Sequence, residues 1–519
     1  MKKLVFSLVV LFAFSTLFVT PVQAAKKPWT FMVFLNADNN LEGAGIKDFN
    51  EMEKTGSNSA VNVIVQIDRR SGYDSSNGNW ADTRRYYVTK DNDMSTINSK
   101  LLKDIGEVNM GDPNQLVDFV KFCAQNYPAD HYALVVWNHG GGWKKRDKSI
   151  TKIFKGVSYD DTNNDHITMP EMKSAMNSVY NILGQKLDVL DYDACLMGMV
   201  EIAYQIKDTV RYLSASEETE PGDGNPYDTI LPAISSSTTA GELAKTIAYS
   251  YTKSYQSGYS STTKAATDLS KIGTVAEAVD AAATLMKDNM STLKSSISSA
   301  LSNAQKFYDK DFVDLSDLLG RISVSDSTLQ SKINAVKSAI DDAVIYNGHT
   351  GSSMSDATGL SIYFPSSSSS YLSRYDDLTF SRDTAWNEFL SAYYNTSSSS
   401  NNNGGSNDNG GWWLPWFSSA LSLSDDKANL INSGRLNETE MNMIMEREDA
   451  LMAQAQNKIS TSLKDNDFST IKDFVTSYAK LTPEQKKAIM PMIMEIRTQL
   501  AVAAMKGDLA KMNLQKIKN

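Results

Sequence analysis

Four apolar runs, at residues 29–35, 61–67, 132–137 and 186–193, constrain this chain more than any other feature. Each is of strand length, nearly continuous in apolar character, and separated from the next by stretches of helical pattern such as 115–125. A strand wetted on one face alternates polar and apolar residues. A strand apolar throughout is covered on both faces, as in parallel sheets whose crossovers are helices. The expected class is therefore α/β, with a central, mostly parallel sheet flanked by helices.

The rest of the 519 residues divide around that sheet. Residues 1–24 carry a basic start, a short apolar run and a small-residue cleavage pattern ending at Ala24, the signature of an export signal. No stop-transfer charge cluster follows, so no transmembrane anchor is expected once the signal is removed, and the location read is secreted or periplasmic. Residues 26–395 read as one α/β domain. Within it, about 235–345 looks helical, and the run 359–365 returns as a strand stopped by Pro365. Residues 396–411 are almost wholly Ser, Asn and Gly and read as a flexible linker. Residues 412–519 are Met-rich helix formers and read as a separate helical module, with Thr482, Pro483 and Gln485 marking one helix start.

A net charge of −10 argues against nucleic acid as a partner. Two cysteines, Cys123 and Cys195, do not make a disulfide scaffold. Cys123 sits in an amphipathic helical run and reads as an inert core thiol. Cys195 lies just beyond the strand 186–193, before the helical stretch 197–206, where a helix N-terminus would favour the thiolate. His139 follows the strand 132–137 and precedes Gly140, Gly141 and Gly142. Taken alone, each has an ordinary structural reading, a glycine turn or a buried Cys. Together they place a base and a nucleophile beyond the carboxyl ends of strands in one sheet, where α/β proteins bind ligands. His131, His166 and His349 occupy less suitable positions.

The stretches 127–143 and 193–201 resemble the histidine and cysteine blocks of the clostripain family, and 29–41, 214–222 and 359–365 resemble further family segments in the same order. The resemblance covers roughly 28–395 and implies a caspase-like α/β fold and a cysteine endopeptidase with a Cys195–His139 dyad. It also implies oxyanion donors at the backbone N–H groups of Gly140 and Cys195. Asp193 shares a strand face with Cys195 and suits a guanidinium or ammonium, and the resemblance assigns it to the primary pocket, so the substrates expected are proteins or peptides with Arg or Lys before the scissile bond. Asp191, on the same face, reads as a strand-end cap. Residues 214–223 are expected to form the opposite wall.

The basic loop with Lys144, Lys145, Arg146 and Lys148 is a solvated loop or, as the resemblance implies, a self-cleavage site. Asp160, Thr162, Asn164 and Glu171 have partial EF-hand spacing without its glycine, while Thr168 and Glu171 fit a capping box equally well. No cofactor is required by this reading, and calcium is the one ion the sequence offers. The rival readings are a non-catalytic, adhesin-like binding module on the same fold and a thiol acyltransferase or amidase.

Overall fold

The computed structural model describes residues 26–143, 156–258 and 261–396, with five isolated positions between 455 and 490. The signal segment, the basic loop with Lys144, Lys145, Arg146 and Lys148, most of the linker and nearly all of the C-terminal module lie outside the described residues.

All four apolar runs are strands. In chain order the strands are β1 (Lys27–Ala37), β2 (Val61–Arg69), β3 (Thr83–Tyr87), β4 (Lys100–Gly106), β5 (Ala129–Trp137), β6 (Val157–Asp160), β7 (Asp165–Ile167), β8 (Leu187–Asp193), β9 (Val210–Ala215), β10 (Thr262–Asp268), β11 (Phe312–Asp314), β12 (Val344–Thr350) and β13 (Ser361–Tyr363). Nine of them form one sheet in the order β12-β10-β9-β8-β5-β1-β2-β3-β4. Its centre, from β9 to β2, is parallel, and both flanks are antiparallel. The fold is thus mixed α/β with a large, mostly parallel central sheet, as the apolar runs require.

Helices cover both faces. On β1, Met32 and Phe34 enter a core shared with α2 (Pro113–Asn126) and α3 (Met169–Leu183), while Phe31, Val33 and Leu35 enter the core on the opposite face. That second core is completed by the helices Glu42–Glu53, here α1, and Ala240–Ser254. Local chemistry sets the helix starts. The Asp112 side chain accepts from Asn114 N–H with Pro113 in the first turn, and Thr168 and Glu171 form a complete capping box on α3.

The stretch 235–345 differs from its helical expectation. It contains five helices, but it also supplies β10 to the main sheet and β11 to a small sheet with β13. The Thr- and Ala-rich β10 lacks a long apolar run because it lies near the sheet edge, paired antiparallel on both sides. No helix among the described residues is long and apolar enough to cross a membrane.

Candidate active site

Parallel pairing of β5 and β8 sets His139 beside Cys195. The last paired residues are Trp137 and Asp193, and Asn138 N–H continues the ladder to Asp193 O at 3.2 Å. His139 and Cys195 therefore leave the sheet at the same level, each two residues beyond the last pair. Gly140 is required at this crossing. A Cβ there would lie 2.5 Å from Cys195 O and 3.1 Å from Cys195 N, so only glycine lets the two backbones pass. His139 Nε2 lies 3.0 Å from Asn40 Oδ1, on the turn after β1.

The Cys195 turn does not open directly into a helix. Leu196 takes a positive φ of 62°, and helix α4 (Val200–Ile206) begins only at Val200. Residues 196–198 are instead laced to the segment after β9, by Leu196 N–H to Glu218 O at 3.2 Å and Gly198 N–H to Ser216 O at 2.8 Å. The expected thiolate-favouring helix end is therefore absent. Cys195 Sγ accepts the Glu220 N–H at 3.3 Å and is partly exposed. Burial of its protein side pushes the thiol up to about 12; the Glu220 N–H opposes this and the Glu220 and Glu218 carboxylates add to it. Cys123 is fully buried and unpaired in the first core, as an inert thiol should be.

Asp193 lies behind this pair in a group of buried charges. Its Oδ2 accepts from Tyr227 O–H at 2.8 Å and Asn225 N–H at 3.2 Å. Gly224, with φ 51°, passes so close that a Cβ would lie 3.0 Å from both carboxylate oxygens and 3.1 Å from Asp48 Oδ2. Asp48 projects from α1 and accepts from Trp137 Nε1 at 2.7 Å. Asp191 and Glu220 bracket the buried Lys264 of β10, whose Nζ is 3.4 Å from Asp191 Oδ1 and 2.9 Å from Glu220 Oε1. Asp191 is thus part of a buried ion cluster, not a strand-end cap, because β10 brings an ammonium to it.

Three carboxyls, Asp191, Asp193 and Glu220, share the Lys264 ammonium, and Asp48 adjoins them with Lys47 as its own nearby cation. Burial pushes Asp193 up, with Lys264 opposing and the Asp191 charge adding to it. Burial, then the charge of Asp193, lifts Asp48 well above the usual carboxylate range. Burial would lower Lys264, but the charges of Asp191 and Glu220 outweigh it and hold it above its ordinary value. A group so short of positive charge favours a further cation. Asp48, Asn225, Tyr227 and Lys264 were not foreseen, since nothing local in sequence ties them to the Cys195 block. Glu220 falls within the expected wall 214–223.

The partial EF-hand is not formed as a ligand set. Glu171 is spent on the capping box, where its Oε2 accepts from Thr168 N–H at 2.8 Å, and Asp160 Oδ1 accepts from Asn163 N–H at 2.7 Å. Asp160 groups instead with Asp38, Asp68 and Glu107, which offer oxygens all within 4.8 Å of one another.

A family model described as the clostripain family matches residues 33–393. The chain belongs to the clostripain family. A curated relative, clostripain of Hathewaya histolytica, is 34% identical over 227 residues, which are 40% of this chain and 42% of that protein. The alignment thus spans about two fifths of the relative's length. Among solved structures, a secreted C11 cysteine protease of Bacteroides thetaiotaomicron bound to an irreversible peptide inhibitor has a TM-score of 0.53 at 21% identity, covering 71% of this chain and 99% of that one. An inactive zymogen C11 protease of Parabacteroides distasonis has a TM-score of 0.54 at 22% identity, covering 70% of this chain and 99% of that one. At these identities the two structures establish the shared fold.

Proposed function

We propose that this clostripain-family protein is an exported cysteine endopeptidase that hydrolyses peptide bonds on the carboxyl side of Arg and Lys. The observation that carries the reading is the placement of His139 and Cys195 at one level beyond the paired strands β5 and β8. In the proposed cycle, Cys195 Sγ adds to the scissile carbonyl carbon while its proton passes to the His139 imidazole. The N–H groups of Gly140 and Cys195 take the oxyanion. Collapse breaks the C–N bond, the leaving amine takes the proton from His139, and a thioester remains. Water, giving a proton to His139, attacks the thioester and releases the carboxylate product and the thiol. The cation-poor group around Asp193 supports the Arg and Lys preference.

Self-cleavage in the basic loop fits the same site. The described residues on either side of that loop are tied together by Gly141 N–H to Gly156 O at 3.0 Å and by the pairing of Gly140 with Val157. A cut after Lys144, Lys145, Arg146 or Lys148 would leave the flanking segments at 140–141 and 156–157 paired. Export rests on the signal pattern at 1–24.

The deciding experiment is hydrolysis of fluorogenic peptides ending in Arg, Lys, Asp or Leu by the mature protein, beside Cys195→Ala. Turnover of the Arg and Lys peptides that vanishes in the variant is the expected result. No turnover of any peptide, even after light trypsin treatment, would replace this reading with a binding module.

A further inference from the structure

The ammonium beneath the catalytic turn is built into the fold, and the carboxyls around it share it unequally. Lys264 projects from β10, which β9 separates from β8, yet its side chain reaches the end of β8. Its Nζ donates to Tyr192 O at 2.7 Å and to Glu220 Oε1 at 2.9 Å, and lies 3.4 Å from Asp191 Oδ1. Lys264 thereby joins the strand that leads to Cys195 with the segment facing it, whose Glu220 N–H meets Cys195 Sγ. It is 0% exposed, with the Tyr251 ring of the helix Ala240–Ser254 centred 5.0 Å from Nζ. An ammonium so far from water stays charged only beside carboxylates.

The three carboxyls meet it on different terms. Asp191 and Glu220 lie within ion-pair distance of Nζ. Asp193 is held instead by neutral donors, the Tyr227 hydroxyl at 2.8 Å and Asn225 N–H at 3.2 Å. Among the described residues, the far oxygen of Glu220, Oε2, is buried without a hydrogen-bond donor, so Lys264 is what offsets the charge of this side chain. The ammonium thus cancels charge at Asp191 and Glu220 first. The negative excess that remains is centred on Asp193, on the face of β8 that Cys195 shares. Charge left uncancelled at Asp191 or Glu220 would compete with Asp193 for an incoming cation or take up a proton.

We propose that Lys264 is a positioning residue for the substrate's cation, cancelling the charges of Asp191 and Glu220 so that Asp193 is the carboxylate an Arg or Lys side chain meets. The inference rests on the Arg and Lys reading of the pocket and carries it to a buried residue of β10. Affinity for the cation then follows the net charge of the group, not the presence of each member.

The test compares the full mature protein with Glu220→Gln and with the pair Glu220→Gln/Lys264→Met. The single change keeps an oxygen for Lys264 and the N–H at Cys195 but removes one negative charge. The pair also removes the ammonium and returns the group to its original net charge. Lys264→Met alone is avoided, because it strands two buried carboxylates. Hydrolysis of an Arg fluorogenic peptide gives kcat and KM. Calorimetry of an Arg-ended product peptide on the Cys195→Ala form of each protein gives Kd without turnover. Glu220→Gln should raise KM and Kd about tenfold, with the larger part of the loss in KM rather than kcat. The pair should bring both back to within about threefold of the parent. A merely structural lysine predicts the opposite order, the pair weaker than the single change. That order, or a parental Kd in Glu220→Gln, would overturn the proposal. Should the pair fail to fold, the split between KM and kcat in Glu220→Gln decides, and a loss confined to kcat counts against it. A parent that binds the Arg-ended peptide without hydrolysing any would sink the peptidase reading, and the Kd series would still judge Lys264. No binding by the parent up to about 10 mM, roughly ten times the usual upper KM, would overturn both.

Discussion

The Cys195 thiol is where the proposed chemistry begins, and its surroundings hold the proton on. With the thiol pushed up to about 12, chiefly by burial, the resting nucleophile at neutral pH is neutral, and His139 takes the proton as attack proceeds. Alkylation of Cys195 by iodoacetamide, followed by peptide mapping, should accelerate about tenfold per pH unit between roughly pH 7 and 10. A rate already flat above about pH 7 would indicate a resting thiolate–imidazolium pair instead. Cys123, fully buried and pushed up by its apolar surroundings, should stay unmodified until the protein unfolds. Asp193 carries the proposed specificity. Asp193→Asn keeps an oxygen for Tyr227 and Asn225 but removes the charge, and breaking a buried charge pair with substrate costs on the order of 3 kcal/mol. The expected loss in kcat/KM on Arg and Lys peptides is about a hundredfold, with an unchanged or raised Tm because repulsion from Asp48 is relieved. Retained Arg and Lys cleavage would remove Asp193 from the specificity argument.

Elements position these residues, and α4 carries a titration of its own. Glu201 is fully buried on α4, its Oε1 accepting from Tyr363 N–H at 2.9 Å and from the Tyr375 hydroxyl at 3.1 Å. Burial outweighs those bonds and lifts it to about 7, above an ordinary value of 4.5. Below the lower value both folded and unfolded chains are protonated and the stability is fully present. Between the two values only the unfolded chain ionises, so stability is lost as pH rises, by on the order of 3 kcal/mol, and then levels off. Glu201→Gln should therefore gain stability relative to the parent as pH rises from about 5 to 8, read from urea midpoints. A constant difference across that range would refute the assignment. The elements also explain what could be read from sequence. β5 and β8 were legible because central parallel strands must be apolar throughout, and their common level then set His139 near Cys195. The start of α4 was not, because residues 196–198 are held by the segment 216–218 rather than by local helix formation. The acidic group of Asp38, Asp68, Glu107 and Asp160 was equally hidden, since four elements far apart in sequence compose it.

At the scale of the whole molecule, the described domain closes on itself before the Ser-, Asn- and Gly-rich segment begins. Among the described residues, both cores draw their members from positions 29–393. The final helix, Trp386–Asn395, is built in rather than appended. Trp386 is fully buried, its Nε1 donates to Tyr363 O at 2.9 Å, and its ring stacks edge-on against Phe364 at 5.9 Å. The edge strand β4 is blunted by Lys100, Lys103 and Asp104, so the sheet does not demand a further strand from elsewhere. The exposed large apolar side chains of the domain, including Tyr73 of the β2–β3 loop and Leu101, Tyr180 and Tyr249 of three different elements, give no reason in themselves to require a covering module. A chain ending at Thr396 should therefore fold, with a Tm within about 2–4 °C of the full mature protein, the shift that ~1 kcal/mol makes in a sizeable domain. Its kcat/KM on Arg and Lys peptides should stay within about twofold. Thermal unfolding and peptide hydrolysis on the two proteins decide the matter. An insoluble or strongly destabilised product would make the C-terminal module part of the catalytic domain's core. A stable but inactive one would make it part of the active site's support.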